Sequence, residues 1–172
     1  ANDKEVAGVG HADAALYQGR QVILTPLPKT SAELLQKATD TWAAIGAQVL
    51  RMTAEDHDAA FAAVSHLPHL LAFAYFNAIS RQPAGRDYLS LGGPGFRDFT
   101  RIAASNPEVW RDILMANREE ILKQTLRFRQ TLDAMEHVVR TGNAEALEAL
   151  IRSASDARGG WQMNSATPHT HR

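Results

Sequence analysis

The chain has 172 residues, 45% of them hydrophobic and 22% charged, with a formal net charge of −1. That is enough apolar material for one domain, or one domain with part of another, and too little net charge for a general pull toward nucleic acid or an anionic membrane. Cysteine is absent, so disulfides and thiolate chemistry are excluded; no apolar run is expected to reach membrane-spanning length, the opening Ala1-Asn2-Asp3-Lys4-Glu5 does not read as a signal peptide, and a soluble, cytoplasmic protein is expected.

Residues 1–20, with Gly8, Gly10 and Gly19, read as loop and a brief helical turn. Gln21 to Thr25 is a continuous apolar run closed by Pro26 and Pro28, which predicts a buried strand. Ser31 is placed to cap a helix whose apolar stripe is Leu34, Ala38, Trp42 and Ile45, and Gly46 ends it. Ala47 to Met52 reads as a second strand. Strand, helix and strand within about thirty residues form a crossover unit of a parallel sheet. Two strands cannot bury both of their faces, so the unit looks like the remnant of a larger sheet. Gly8-x-Gly10 follows no strand and is only a fragment of the glycine fingerprint of dinucleotide-binding domains.

Thr53-Ala54-Glu55-Asp56 opens a helix in the manner of a capping box, with acids in the first turn. It should run to about Ser80 and is apolar almost all round after Asp58, so it needs cover on every side, part of it from a second subunit. Pro68 interrupts its hydrogen bonding at the carbonyl of Val64, a fault that something must offset. Ala84 to Pro94 reads as a linker rich in glycine and proline. Gly92 to Trp110 follows, opening with a loop suited to glycines and setting Arg97, Asp98 and Arg101 among Phe96, Phe99 and Ile102. Charges in apolar company are paired or used, and Asp98 and Arg101, three apart, would share one helical face. Asn106 and Pro107 start a long helix with a near-heptad stripe of Leu114, Ile121, Phe128, Leu132, Met135 and Val139, ended by Gly142. Asn143 caps a last helix, and a polar, disordered tail is expected from Gly159. There is no internal repeat.

His66 and His69, a helical turn apart, leave three readings open: core histidines bonded to backbone, a metal site completed by His57 or Asp58, or a pocket that donates to an anionic ligand. Arg97, Asp98 and Arg101 leave two: an internal ion pair that orders a loop, or a guanidinium held for a carboxylate.

Gly95-Phe96-Arg97-Asp98-Phe99-Thr100-Arg101-Ile102-Ala103, then Ser105-Asn106-Pro107 and Trp110, resembles the C-terminal region of prephenate (or arogenate) dehydrogenases, and so does Glu55-Asp56-His57-Asp58 leading to Ser65-His66-Leu67-Pro68-His69. The likeness runs from about Glu5 to about Arg158. It implies a mainly α fold: a helical dimerisation domain at 53–158, preceded at 1–52 by a residual βαβ piece of a Rossmann-like dinucleotide domain and followed by the tail at 159–172. It implies that Arg101 grips a substrate carboxylate, that His66 and His69 line the substrate site, and that Asp98 and Trp110 shape it; Glu5 and Ser65 are weaker candidates, and Arg97 reads as an ion-pair partner rather than a ligand contact. Ala7 stands where many relatives carry serine. The family's catalytic histidine, in His-Pro-x-x-Gly, would lie upstream of Glu5 and is absent, so no catalytic residue and no metal ligand is assigned within the chain. The implied reaction is oxidation of the ring alcohol by hydride transfer to NAD or NADP, with loss of the ring carboxylate as carbon dioxide. Prephenate or arogenate would be the substrate, 4-hydroxyphenylpyruvate or tyrosine the product, tyrosine a candidate inhibitor, and a homodimer the assembly. This stretch alone is expected to be inactive. The rival from another class is a non-catalytic helical dimerisation or aromatic-amino-acid-sensing module; a small metal-dependent hydrolase is a third.

Overall fold

The computed structural model describes Asp13 and residues 15–163. Glu5, Ala7, Gly8, Gly10 and the tail beyond Met163 lie outside the described residues. Two compact units are present, one reaching to His57 and the other running from Asp58 to Met163.

In the first unit, β1 (Gln21–Leu24) and β2 (Gln48–Arg51) pair in parallel, with Val22 opposite Val49 and Ile23 opposite Leu50, joined by helix α1 (Ala32–Ala44). Ser31 caps α1 by accepting from the N–H of Leu34 at 3.2 Å. Gly46 leaves it with φ +86, a conformation that costs a side-chain-bearing residue energy. The crossover unit is therefore as predicted. Its strands are half-buried rather than buried, because two strands leave sheet faces uncovered.

Helix α2 (Ala54–Phe61) passes into a π-helical turn (Ala62–His66) and then α3 (Leu67–Ser80), one continuous helical run. Its start is as read, with Thr53 accepting from the N–H of Asp56 at 3.1 Å. The π turn offsets the fault at Pro68. The Leu67 N–H reaches back five residues to the Ala62 carbonyl, and Pro68 falls in the first turn of α3, where a missing N–H costs little. By length and composition the 27-residue run Ala54–Ser80 is long and apolar enough to cross a membrane, which corrects the expectation that no run reaches that length.

The stretch expected as linker contains helix α4 (Gly85–Ser90). Helix α5 (Pro94–Thr100) lays Phe96 and Phe99 on Tyr75 and Phe76 of α3, at ring-centroid distances of 5.4 to 6.1 Å. Gly92, Gly93 and Gly95 have no positive φ. Gly92 is needed for space instead, since an added Cβ would meet the Phe96 ring at 2.8 Å. A 3₁₀ turn (Arg101–Ala104) packs on α3 and leads to α6 (Pro107–Ala116), which Asn106 caps by accepting from the N–H of Val109 at 3.0 Å. The long helix expected from Pro107 onward is in fact two, because α6 stops at Ala116 and α7 (Arg118–Arg140) starts afresh after Asn117. Asn143 caps α8 (Ala144–Gly160), which continues through Gly159 and Gly160; there the Arg158 guanidinium lies 4.8 Å over the Trp161 ring.

Little is enclosed. Among the described residues the buried apolar side chains are Ala47, Ala62, Leu67, Ala72 and Ile121, and no large side chain is fully hidden. The near-heptad stripe of α7 begins with buried Ile121, but Leu132 and Val139 further along it are exposed. Leu122 and Leu126, on another face of α7, are 60% and 58% exposed, and Val64 in the π turn is 73% exposed. Large apolar side chains are thus exposed along α7 and at the π turn.

Candidate functional site

The widened π turn positions the two histidines. Five-residue hydrogen bonding leaves carbonyls of this turn without their ordinary α-helical partners. His69 supplies one: its Nδ1 stands 2.8 Å from the carbonyl oxygen of Ser65. A carbonyl oxygen only accepts, so Nδ1 carries the proton and donates. The Ser65 backbone thus holds the His69 ring, as the reading of histidines bonded to backbone requires.

His66 is held differently. Its Nδ1 lies 3.1 Å from Nδ2 of Asn117, and the same Nδ2 lies 2.8 Å from the carbonyl oxygen of Asp58. Asn117 occupies the break between α6 and α7, so the break itself clamps those helices to the π turn. Trp110, on α6, completes the cluster. Its indole stacks on the His69 ring at a centroid distance of 3.4 Å with planes 13° apart, and meets the His66 ring edge-on at 6.3 Å. All three rings are half-buried. A charged imidazole lying on an indole face gains cation–π attraction, so the stack also suits a ring that gathers positive charge beside an anion.

Three of the residues singled out in the sequence, His66, His69 and Trp110, are therefore brought together. The expected pairing of Asp98 with Arg101 is not found. Asp98 accepts instead from Nε of its neighbour Arg97, at 3.1 Å, and both side chains are well exposed. The adjacent cation takes the carboxylate: Arg97 bonds Asp98 through its Nε, while α5 ends at Thr100 and Arg101 belongs to the 3₁₀ turn that packs on α3. Arg97 is thus an ion-pair partner, as read. Arg101 is exposed, and among the described residues its guanidinium makes no ion pair or hydrogen bond, nor does it join His66 or His69. Its turn packs on α3, the helix that carries His69. Ser65 contributes its carbonyl to the cluster.

Asn117 was missed in the sequence. The signal was there: Asn117 followed by Glu119 and Glu120 is a helix-start pattern within what reads as one long helix. No group of three or more His, Asp or Glu side chains that could hold a metal ion occurs among the described residues. The connection from β1 to α1 contains Pro26 and Pro28, which lack the backbone N–H groups that cradle a pyrophosphate, and no glycine. The described residues therefore do not fit a dinucleotide at that turn.

Known proteins resemble this chain closely. Residues 53–153 match the family described as prephenate dehydrogenase, dimerization domain. The cyclohexadienyl dehydrogenase of Zymomonas mobilis is 31% identical over 147 residues, which cover 84% of this chain and 50% of that protein. The prephenate dehydrogenase of Bacillus subtilis is 30% identical over 164 residues, covering 90% of this chain and 42% of that protein. The crystal structure of a prephenate dehydrogenase from A. aeolicus, in complex with hydroxyphenyl propionate and NAD+, superposes with a TM-score of 0.84 at 35% identity, covering 91% of this chain and 55% of that one. Synechocystis arogenate dehydrogenase superposes with a TM-score of 0.82 at 26% identity, covering 91% and 57%. The chain spans about half the length of the curated relatives it matches. The matched stretch is more than half of the chain and takes in the whole cluster of His66, His69, Trp110 and Asn117: the chain belongs to the prephenate dehydrogenase dimerization-domain family.

Proposed function

We propose that this chain is the substrate-holding and dimer-forming part of a cytoplasmic dehydrogenase that acts on prephenate or arogenate with NAD or NADP. The observation that carries the reading is the cluster at the π turn. Two imidazoles and an indole meet there, from the π turn, α3 and α6, while the turn packed on α3 carries an exposed guanidinium with no partner among the described residues. A small dianionic ring compound needs such a set: cations for its carboxylates and flat rings for its own ring. Arg101 is the carboxylate anchor; His66, His69 and Trp110 form the wall; Asp98, paired with Arg97, lies at the margin. The nicotinamide cofactor would supply the hydride acceptor in the whole protein. Its pyrophosphate finds no fitting cradle at the β1–α1 turn, so the present chain alone should show no nicotinamide-dependent turnover.

The bare apolar surface fits the same reading. A second copy, rather than a bilayer, is the cover proposed for the run Ala54–Ser80 and for α7, because a half-buried hydrogen-bonded histidine pair sits in the middle of that run, where hydrocarbon would penalise it.

Calorimetry with hydroxyphenyl propionate, prephenate and tyrosine tests the site. Wild type should bind prephenate and hydroxyphenyl propionate, and Arg101→Ala should weaken both about tenfold or more, about 1.4 kcal/mol, with its circular dichroism unchanged. No binding by wild type would overturn the site, and undiminished binding by Arg101→Ala would overturn the anchor. Binding of tyrosine alone would turn the reading to an aromatic-amino-acid-sensing module.

A further inference from the structure

We infer that Pro68 is a positioning residue. By keeping the run Ala54–Ser80 out of the ordinary α register it sets the rotation of Asp58 and His66 about the helix axis relative to His69, and so brings all three against α6. Its bearing on a ligand rests on the reading of the cluster as a substrate site; its bearing on the helix does not.

In an uninterrupted α helix the N–H of Leu67 would bond the carbonyl of Ala63, and the N–H of residue 68 that of Val64. Proline has no N–H, and in that register its ring collides with the carbonyl four residues back. The Leu67 N–H is found on Ala62 instead, one residue further back. Nothing else between Ala62 and Leu67 asks for a wide turn: there is no glycine and no second proline, and Ala62 and Ala63 favour the α register. Pro68 is the residue that excludes it.

The wide turn takes up one residue more than an α turn does. One residue of α helix is about 100° of rotation and about 1.5 Å of rise. Everything before the turn is thus rotated by about that angle, relative to α3, from where a regular helix would put it. Helix α6 touches both sides. Asn117, at its C-terminal end, donates to the Asp58 carbonyl at 2.8 Å and lies 3.1 Å from Nδ1 of His66. Trp110, about two turns earlier on α6, stacks on His69 at 3.4 Å. A rotation of about 100° moves a Cα atom, about 2.3 Å from the axis, by about 3.5 Å. That is further than the 2.8 Å bond to Asp58 is long. A run in unbroken α register could therefore meet Asn117 or Trp110, but not both.

The register is read in the full chain by the scalar couplings that cross backbone hydrogen bonds, which show whether Leu67 is bonded to Ala62 or to Ala63. Pro68→Ala should move the bond to Ala63, with helical circular dichroism undiminished, and should weaken hydroxyphenyl propionate about tenfold or more. Deleting Val64, whose side chain is exposed, should then reverse the loss. With that residue gone, Ala62 stands four places before Leu67, so the observed bond becomes an ordinary α bond and both ends of the run regain their phase. The Pro68→Ala chain lacking Val64 should bind within about threefold of wild type. Removing Val64 with Pro68 in place should cost about tenfold or more, since the ring then meets the Ala63 carbonyl. A proline that merely stiffened the helix would leave Leu67 on Ala62 in Pro68→Ala, and the deletion would add to the damage; either result would overturn the proposal. A wild type that binds no hydroxyphenyl propionate would sink the reading of the site alone, because the Leu67 couplings still decide the role of Pro68.

Discussion

Leu122 and Leu126 lie one turn apart on α7, and each keeps about six-tenths of its surface in water. If a second copy covers them, replacing both by serine should weaken the dimer by an amount that the exposure sets. Full burial of a leucine is worth about 1.5–3 kcal/mol, so covering the remaining six-tenths contributes about 1–2 kcal/mol per side chain. A two-fold interface uses each patch twice and so engages four such leucines. The expected loss is about 4–7 kcal/mol, or about 10³- to 10⁵-fold in the dimer dissociation constant. Sedimentation equilibrium over a wide concentration range measures this directly. Both leucines are exposed in the single chain, so the helical circular dichroism of the variant monomer should match that of wild type. A wild type that stays monomeric at high micromolar concentration would refute the dimer. A variant that dimerises within a few-fold of wild type would refute the placement of α7 at the interface.

The remaining expectations concern stability and are read by thermal or denaturant unfolding at fixed protein concentration. Gly85 is buried, and a Cβ there would run into the carbonyls of Ile79 and Ser80 at the end of α3, so Gly85→Ala should cost about 1–3 kcal/mol; an unchanged midpoint would mean that the turn into α4 is looser than described. Gly142 ends α7 at φ +66 with nothing within 4 Å of a would-be Cβ, so Gly142→Ala should cost only the left-handed backbone, about 1 kcal/mol. Arg101→Ala removes no ion pair or hydrogen bond among the described residues and should shift stability by less than about 0.5 kcal/mol; a larger loss would mark Arg101 as structural.

What the sequence disclosed, and what it hid, follows from the range of the forces concerned. Capping is local: the side chains of Ser31, Thr53, Asn106 and Asn143 bond N–H groups three residues on, and each was readable where it stood. The crossover unit was readable for the same reason, because its periodicity and its glycine stop are local signals. The partner of Asp98 was misjudged since spacing alone cannot show that the adjacent Arg97 takes the carboxylate and leaves Arg101 without it. The π turn was half visible. Pro68 announced a fault in the hydrogen bonding but not its remedy, which depends on the fit of the widened turn against α7. Asn117 was hidden most deeply. Its side-chain bonds span 51 and 59 residues, and the acids that follow it signal a helix start without showing where its side chain reaches.

These long-range bonds join the two halves of the functional proposal. Helix α7 starts beside the residue that orients His66 and carries, within its next three turns, the leucines left in water. A shift of α7 on docking a second copy would thus be felt at the imidazole through Asn117, with no contact between the ligand and the partner chain required. Linkage makes that coupling reciprocal: if ligand tightens the dimer, dimerisation must tighten ligand binding by the same factor. Repeating the sedimentation of wild type and Asn117→Asp with saturating hydroxyphenyl propionate separates the routes. A ligand-dependent change in dimer affinity that vanishes in Asn117→Asp would run through this clamp, whereas one that survives there would be carried by α3 and the π turn alone.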